Sequence, residues 1–405
     1  MPPSTRSESD ALGAMTLPAA ALYGIQTARA VENLAFSRHR LATYPGYVDA
    51  LAAVKRAAAR ANGAAGILGA ARADAIDAVG AALRAGAHAD QFPVDVLGGG
   101  GSIGVNMNVN EVLANLASER LGGARGADDP VHPLRHVNAS QSTADVCHSA
   151  ARLAVRAAAV PCLAALDACV RTLTARADAF ASVPTLARTC LRDALPTTAD
   201  VLLRGHAVAW AARAAALRGA LTPLDAVVLG ATVIGDGQGA PPAYRARVVP
   251  ILAELVGRPL TPHPHPAAAL QHGDDLAEVA AQLGLLAATL LKLAQDLRLL
   301  ASGPRGGFGE LRLPHVQAGS SVFSGKANPM VAESVMQCAM QVLGGVRAVQ
   351  EAHARAELHL QVFDAVALVN TLEALAMLAA VLERLEARCL RGLELDEARC
   401  RELAS

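Results

Sequence analysis

The sequence predicts an all-α protein built on a central bundle of long helices, and three observations carry that reading. Period-2 runs rich in Val, Ile, Thr and aromatic residues are nearly absent. Hydrophobic residues make up 53% of the chain but aromatics only 3%, so the core must be closely packed Ala, Leu and Val, as helix-on-helix packing allows. From Asn138 onward, helical periodicity runs through uncommonly long spans: 142–176, 195–218, 272–302, 329–355 and 363–392. Apolar residues on most faces of these helices point to a bundle buried by oligomerisation.

Along the chain, the segment Met1 to Asp10 is polar and has no apolar run of the signal-peptide kind. Disorder is expected only in the first dozen residues. Up to about Val137, short helices alternate with irregular connections, including a loop around Pro45-Gly46 and the glycine run Gly98 to Gly101. The glycines and prolines of Leu229 to Pro242 require irregular backbone, and a second irregular passage runs from Ser302 to Asn328. The expected divisions are a mostly helical N-terminal domain at 1–138, a long-helix bundle domain at 139–395, and a short C-terminal remainder at 396–405.

Bulk chemistry excludes several function classes. Acidic and basic residues balance at 36 each, which gives no basic face for nucleic acid or a membrane surface. The apolar stretch from Phe363 to Leu382 carries Asp364, Asn370 and Glu373, so it reads as a bundle helix and not as a membrane span. The seven cysteines are scattered and never form Cys-x-x-Cys. That usage fits a reducing, cytoplasmic setting and argues against both a disulfide framework and a zinc site.

Four polar islands interrupt the apolar pattern. The first is Gly319-Ser320-Ser321-Val322-Phe323-Ser324-Gly325-Lys326-Ala327-Asn328-Pro329. It holds one of only three lysines in a chain that otherwise uses arginine, the others being Lys55 and Lys292. A compact ammonium suits a tight site where one point charge meets a carboxylate. The second island is the glycine-rich loop Gly98 to Asn108, whose backbone N–H groups could face an anion, although a plain loop accounts for it equally well. The third, His136 to Asp145, and the fourth, Arg188 to Ala194, both read in isolation as capped helix starts.

Taken together and in order, these segments resemble the aspartase/fumarase superfamily over nearly the whole chain. The resemblance runs through Tyr23 to Asn33, Asn106 to Asn115, His136 to Asp145, Ala240-Pro241-Pro242, Asp296 to Arg305 and the Gly-Ser-Ser loop. Ser142-Thr143 and Val31-Glu32-Asn33 are more similar to aspartate ammonia-lyases than to fumarases. The resemblance implies an L-aspartase-like bundle shared in a homotetramer, with neither a metal nor an organic cofactor. The implied reaction makes or breaks a C–N or C–O bond at C2 of a succinyl group, with a small dicarboxylate (fumarate or a substituted succinate) as partner. Ser320 is then the base. Lys326 and Asn328, with Thr189, hold the α-carboxylate beside Ser321, while Ser142 and Thr143 hold the other carboxylate. A serine is too weak an acid for this role unless backbone N–H groups and a cation support its oxyanion.

The departures from the family pattern are selective. Where the family carries Thr, Asn and His around the amine, this chain has Ile103, Ala144 and Cys190. Glu333 matches the carboxylate that partners the lost histidine, so it is expected to be protonated, solvated or re-paired with an arginine, with Arg192 as one candidate. Relatives continue beyond the position of Ser405, so 396–405 is expected to be the remnant of a small domain. The resulting expectation is a lyase whose leaving group is not ammonia. Two alternatives remain: a catalytically impaired scaffold, and an ordinary aspartase or fumarase.

Overall fold

The computed structural model describes residues 4–405. The chain opens with an antiparallel hairpin, β1 (Thr5–Asp10) and β2 (Gly13–Pro18), in direct register from Thr5 opposite Pro18 to Asp10 opposite Gly13. The expected disorder of the first dozen residues is therefore corrected for those described. The hairpin is tied down by Arg6, whose guanidinium donates to the carbonyls of Pro18, Ala19, Ala21 and Tyr23.

Four helices follow: α1 (Ile25–Leu34), α2 (Pro45–Ala64), α3 (Ala70–Arg84) and α4 (Ile103–Arg120). Proline opens α2 at a position where no N–H is needed. Its buried alanines let α3 and α7 (Pro242–Val256) approach closely. The N-terminus of α1 lacks a capping side chain of its own. Instead, the carboxylate of Glu111 on α4 accepts from the backbone N–H groups of Gly24, Gln26 and Thr27 and from the Thr27 hydroxyl. A Cβ on Gly24 would sit 2.9 Å from the Glu111 carboxyl carbon, so only glycine permits that approach.

The longest helix, α5 (Thr143–Phe180), carries Pro161 inside it. A hairpin, β3 (Pro184–Thr189) and β4 (Arg192–Thr198), comes next, followed by α6 (Asp200–Leu221). The hairpin overturns the capped-helix reading of Arg188 to Ala194, and α6 begins five residues later than the sequence suggested. A two-residue parallel pairing joins β5 (Ala226–Val227) to β6 (Thr261–Pro262), on either side of α7. The remaining elements are α8 (Pro266–Gln271), α9 (Asp274–Leu300), β7 (Leu311–Arg312), α10 (Met330–Ala354), α11 (Asp364–Leu385), β8 (Glu394–Leu395) and α12 (Glu397–Ala404). Strand β7 pairs antiparallel with β8. The fold is all-α apart from these small pairings.

Two compact units divide the chain. The first runs to Ala157 and adds Thr222–Ala277 and Val349–Val369; the second comprises Ala158–Leu221, Glu278–Ala348 and Asn370–Ser405. In the first unit Arg152 is fully buried and makes paired hydrogen bonds to both Asp275 and Asp364. Burial pushes the Asp275 carboxyl up, but the Arg152 guanidinium more than offsets this and holds it at about 2. By length and composition, α5, α9 and the run 364–390 are apolar enough to cross a membrane. In their most apolar stretches 44%, 50% and 61% of residues are buried within the chain.

Candidate active site

The first unit holds Ile103, Ser142, Thr143 and Ala144. Helix α5 starts where Ser142 leaves off: its backbone N–H donates to Asp145 Oδ1 at 2.9 Å, and its hydroxyl accepts from Ala144 N–H at 3.2 Å. Asp145 is fully buried, and its other oxygen accepts from Gly230 N–H (2.9 Å) and Thr232 N–H (3.1 Å). Burial raises this carboxyl to about 6, with the three N–H groups and Lys55 opposing the shift. The N-terminus of a long helix, with Ser142 and Thr143 part-exposed on it, has the polarity an anion requires. Ser102, Thr143 and Ala144 also line a small cavity of about 20 Å3 together with Cys147, His148 and Asp364. Ile103 is 45% exposed at the first position of α4, directly after Gly100, Gly101 and Ser102, all with positive φ.

Behind this turn lies a buried amide network that the sequence reading did not assign. Lys55 has no exposed surface, and its ammonium donates to Asn138 Oδ1 (2.8 Å) and Gln141 Oε1 (3.0 Å). Asn106 Nδ2 donates to Asn138 Oδ1 (3.2 Å) and to Thr143 Oγ1 (2.9 Å). Burial lowers the Lys55 amine to about 7, opposed by Cys147 and Asp145. The scarcity of lysine was the one available signal. Nothing local says that Lys55 is buried.

The second unit holds Thr189, Cys190, Arg192, Ser320, Ser321, Lys326, Asn328 and Glu333. The Ser320 loop is closed by backbone and amide contacts. Gly319 N–H donates to Lys326 O at 2.9 Å, and Asn328 Nδ2 donates to Gly319 O at 2.7 Å. A Cβ on Gly319 would lie 2.6 Å from Lys326 O and 2.8 Å from Asn328 N, so the closure requires glycine. Gly325 takes the left-handed turn at φ +78. Within the loop, Ser320 Oγ accepts from Val322 N–H (3.0 Å) and Phe323 N–H (2.8 Å). Two backbone donors on one hydroxyl oxygen are what a serine oxyanion needs. Lys326 and Asn328 line an open cleft of about 690 Å3 with Asp296, Arg298 and Glu333. Ser321 and Lys326 are exposed, and the Lys326 ammonium has no ion-pair partner among the described residues.

Thr189 and Cys190 sit at the tip of the β3–β4 hairpin, where Thr189 pairs with Arg192. The two turn residues, Cys190 (φ 53) and Leu191 (φ 57), are both left-handed, in a turn that usually takes Asn-Gly. Holding two ordinary side chains there costs of order 1–3 kcal/mol each. The base of the hairpin is firm. Glu310 is buried and accepts from Thr185 Oγ1 and Arg188 Nη1, both at 2.6 Å, and Arg188 stacks over the Phe308 ring at 4.4 Å.

Of the arginines that could re-pair Glu333, the candidate Arg192 is corrected to Arg298. Glu333 stands in the first turn of α10, its side chain is 39% exposed, and its cationic neighbour is Arg298 at 3.5 Å. Arg298 comes from α9, a partner the sequence order does not reveal. Arg192 is exposed, with no ion pair among the described residues. The third lysine, Lys292, binds Asp296, which also accepts from His206 Nε2 at 2.8 Å.

A mostly helical chain with a polar helix start at Ser142-Thr143 in one unit and a glycine-closed serine loop in the other has the parts of a lyase. The comparisons make this specific. A family model described as Lyase matches residues 13–344. An aspartate ammonia-lyase of Pseudomonas canavaninivorans is 38% identical, over 99% of this chain and 85% of its own length. A class II fumarate hydratase of Chromobacterium violaceum is 39% identical, over 100% of this chain and 87% of its own. Among solved structures, a fumarate lyase:delta crystallin of Brucella melitensis superposes with a TM-score of 0.96 at 38% identity, covering 99% of this chain and 87% of that one. A class II fumarase of Schistosoma mansoni gives the same TM-score at 27% identity. The chain belongs to the aspartase/fumarase superfamily of lyases. Relatives named for ammonia and for water chemistry stand at nearly equal distance, so overall similarity does not select the leaving group.

Proposed function

We propose that this lyase eliminates a non-standard heteroatom substituent from a substituted succinate, or adds one to fumarate, with Ser320 as the base. The observation that carries the reading is the pair of N–H donors on Ser320 Oγ, from Val322 and Phe323. They lower the cost of the serine oxyanion, which removes a proton from the carbon beside one carboxylate. The electron pair passes into that carboxylate to give an aci-carboxylate, and then forms the double bond as the leaving group departs with the C–X electrons. Ser142 and Thr143 meet the carboxylate that gains charge; Lys326, Asn328, Thr189 and Ser321 hold the α-carboxylate, beside the carbon that carries the leaving group. The reaction as written needs no metal or organic cofactor.

The leaving group is read from what its pocket lacks. Ile103, Ala144 and Cys190 cannot supply the donors and acceptors that recognise a small amine, whereas the carboxylate-binding positions remain polar. The exposed Arg192 is available to a polar or anionic substituent. We take the site to draw its segments from different subunits of a homotetramer. Assembly would bury apolar residues that one chain leaves exposed, such as Val208 at 68% and Met340 at 56%. Its expected signature is a solution mass four times that of the chain. We also take α5, α9 and the run 364–390 as bundle helices of a cytoplasmic enzyme.

The test is fumarate release, followed by its ultraviolet absorbance, from a panel of N- and other heteroatom-substituted succinates. Turnover of a panel member, lost in Ser320→Ala, supports the reading. No turnover of any member, together with no fumarate binding, would leave the scaffold alternative. Turnover of aspartate or malate alone would return the protein to ordinary aspartase or fumarase chemistry.

A further inference from the structure

We infer that Lys55 is a positioning residue: its buried ammonium fixes the direction of a hydrogen-bond chain so that the Thr143 hydroxyl is left to donate to a substrate carboxylate. The inference rests on the reading of Ser142-Thr143 as a carboxylate subsite, and deepens it.

Donors and acceptors fix the direction of each contact. An ammonium only donates, so the Asn138 amide atom 2.8 Å from Lys55 Nζ must be oxygen. That oxygen also receives Asn106 at 3.2 Å and Asn110 at 3.3 Å, so both must present their nitrogens. Asn106 Nδ2 then spends its second proton on Thr143 Oγ1 at 2.9 Å. Because Thr143 Oγ1 accepts from this side, its own proton is free to point elsewhere. Asn106 keeps this orientation although its Oδ1 is buried without a partner among the described residues. An amide free to choose would turn that oxygen toward the Thr143 hydroxyl, so something upstream holds it: Asn138 is fixed by Lys55, which only donates to its Oδ1, and by the Gln141 carbonyl, which only accepts from its Nδ2 at 3.2 Å.

Lys55 also meets an electrostatic need of the same turn. Asp145 places a buried carboxylate in the first turn of α5, beside the position proposed for a substrate anion. Asp145 keeps its three backbone N–H donors, and Lys55 supplies the opposing charge. The charge and the proton direction both favour an anion at Thr143.

Succinate binding by calorimetry tests this on the full chain, in the parent, Lys55→Met, Thr143→Val and the double variant. Each single variant is expected to weaken succinate about tenfold, about 1.4 kcal/mol. The double variant should bind no more weakly than Thr143→Val alone, because one change acts through the other. Parent-like affinity in Lys55→Met, or losses that simply add, would overturn the inference and leave the carboxylate subsite standing. No succinate binding by the parent would overturn the subsite reading, and this inference with it. Should Lys55→Met fail to fold, Lys55→Gln takes its place. The parent gives an independent answer. With only three lysines, 15N labelling at Nζ resolves Lys55. Its signal must move when succinate binds; an unmoved Lys55 signal counts against the proposal.

Discussion

The α5 start and the Ser320 loop, the two regions proposed to meet a dicarboxylate, are built in opposite ways. Ser142 and Thr143 rest on fully buried Asp145, Lys55 and Asn110 and nearly buried Asn106, each held by its neighbours. Ser320 rests on a loop that is largely exposed, with Val322 at 79% and Phe323 at 67%, and closed by a handful of backbone contacts. On the proposed reading, the half that grips the substrate is preorganised by packing, and the half that takes the proton has few contacts to hold it. That division suits an enzyme whose ground-state grip is constant while the base must engage and release.

The largest expected effect lies in the loop. Ser320→Ala should lower kcat about 10²–10⁴-fold, as loss of a general base does, with succinate affinity nearly unchanged. A comparable loss of affinity would mean that Ser320 grips the substrate and does not deprotonate it.

Next is a change in the buried scaffold of the first unit. Arg152→Met strands the carboxylates of Asp275 and Asp364 and should cost about 3–5 kcal/mol in urea unfolding. A loss below about 1 kcal/mol would erase the contrast in rigidity between the two regions.

Gly319→Ala separates folding from function. Its Cβ would collide with Lys326 O at 2.6 Å, so the loop must open and kcat should fall at least about tenfold, a loss of about 1.4 kcal/mol in transition-state stabilisation. Because the loop is exposed, urea unfolding should move little. A large stability loss with normal kcat would reverse the assignment of roles.

Acid should act on the first unit through Asp275. Its folded carboxyl, held at about 2 against an ordinary value of 3.8, contributes stability that is fully present above 3.8. That contribution declines as pH falls through about 2. Arg152→Met should remove this portion of the acid dependence, and an unchanged acid limb would contradict the assignment.

The smallest effect is expected at Glu333. Half-exposed and 3.5 Å from Arg298, it should change stability by less than about 0.5 kcal/mol as Glu333→Gln.

Much of the architecture was legible because alanine-rich helices declare themselves by period. The spans 272–302 and 329–355 became α9 (Asp274–Leu300) and α10 (Met330–Ala354). The hairpins were not legible. In β4, Arg192–Thr198, the first five residues are all exposed, so no alternation of buried and exposed side chains marks it as a strand. Ser320 and Lys326 were found because a polar, glycine-hinged loop stands out from an apolar chain. Lys55 and the Arg298 partner of Glu333 were not found, since burial and pairing across helices are tertiary properties. Thr143 was named from its motif, but the direction of its proton depends on Asn106 and Asn138, which lie 37 and 5 residues away.

The most direct test of the central claim is fumarate release from substituted succinates by the parent and by Ser320→Ala, with succinate affinity measured in both. The account predicts turnover by the parent, a drop in kcat of about 10²–10⁴-fold in the variant, and affinities within about threefold of each other. Equal turnover by the two proteins would contradict it.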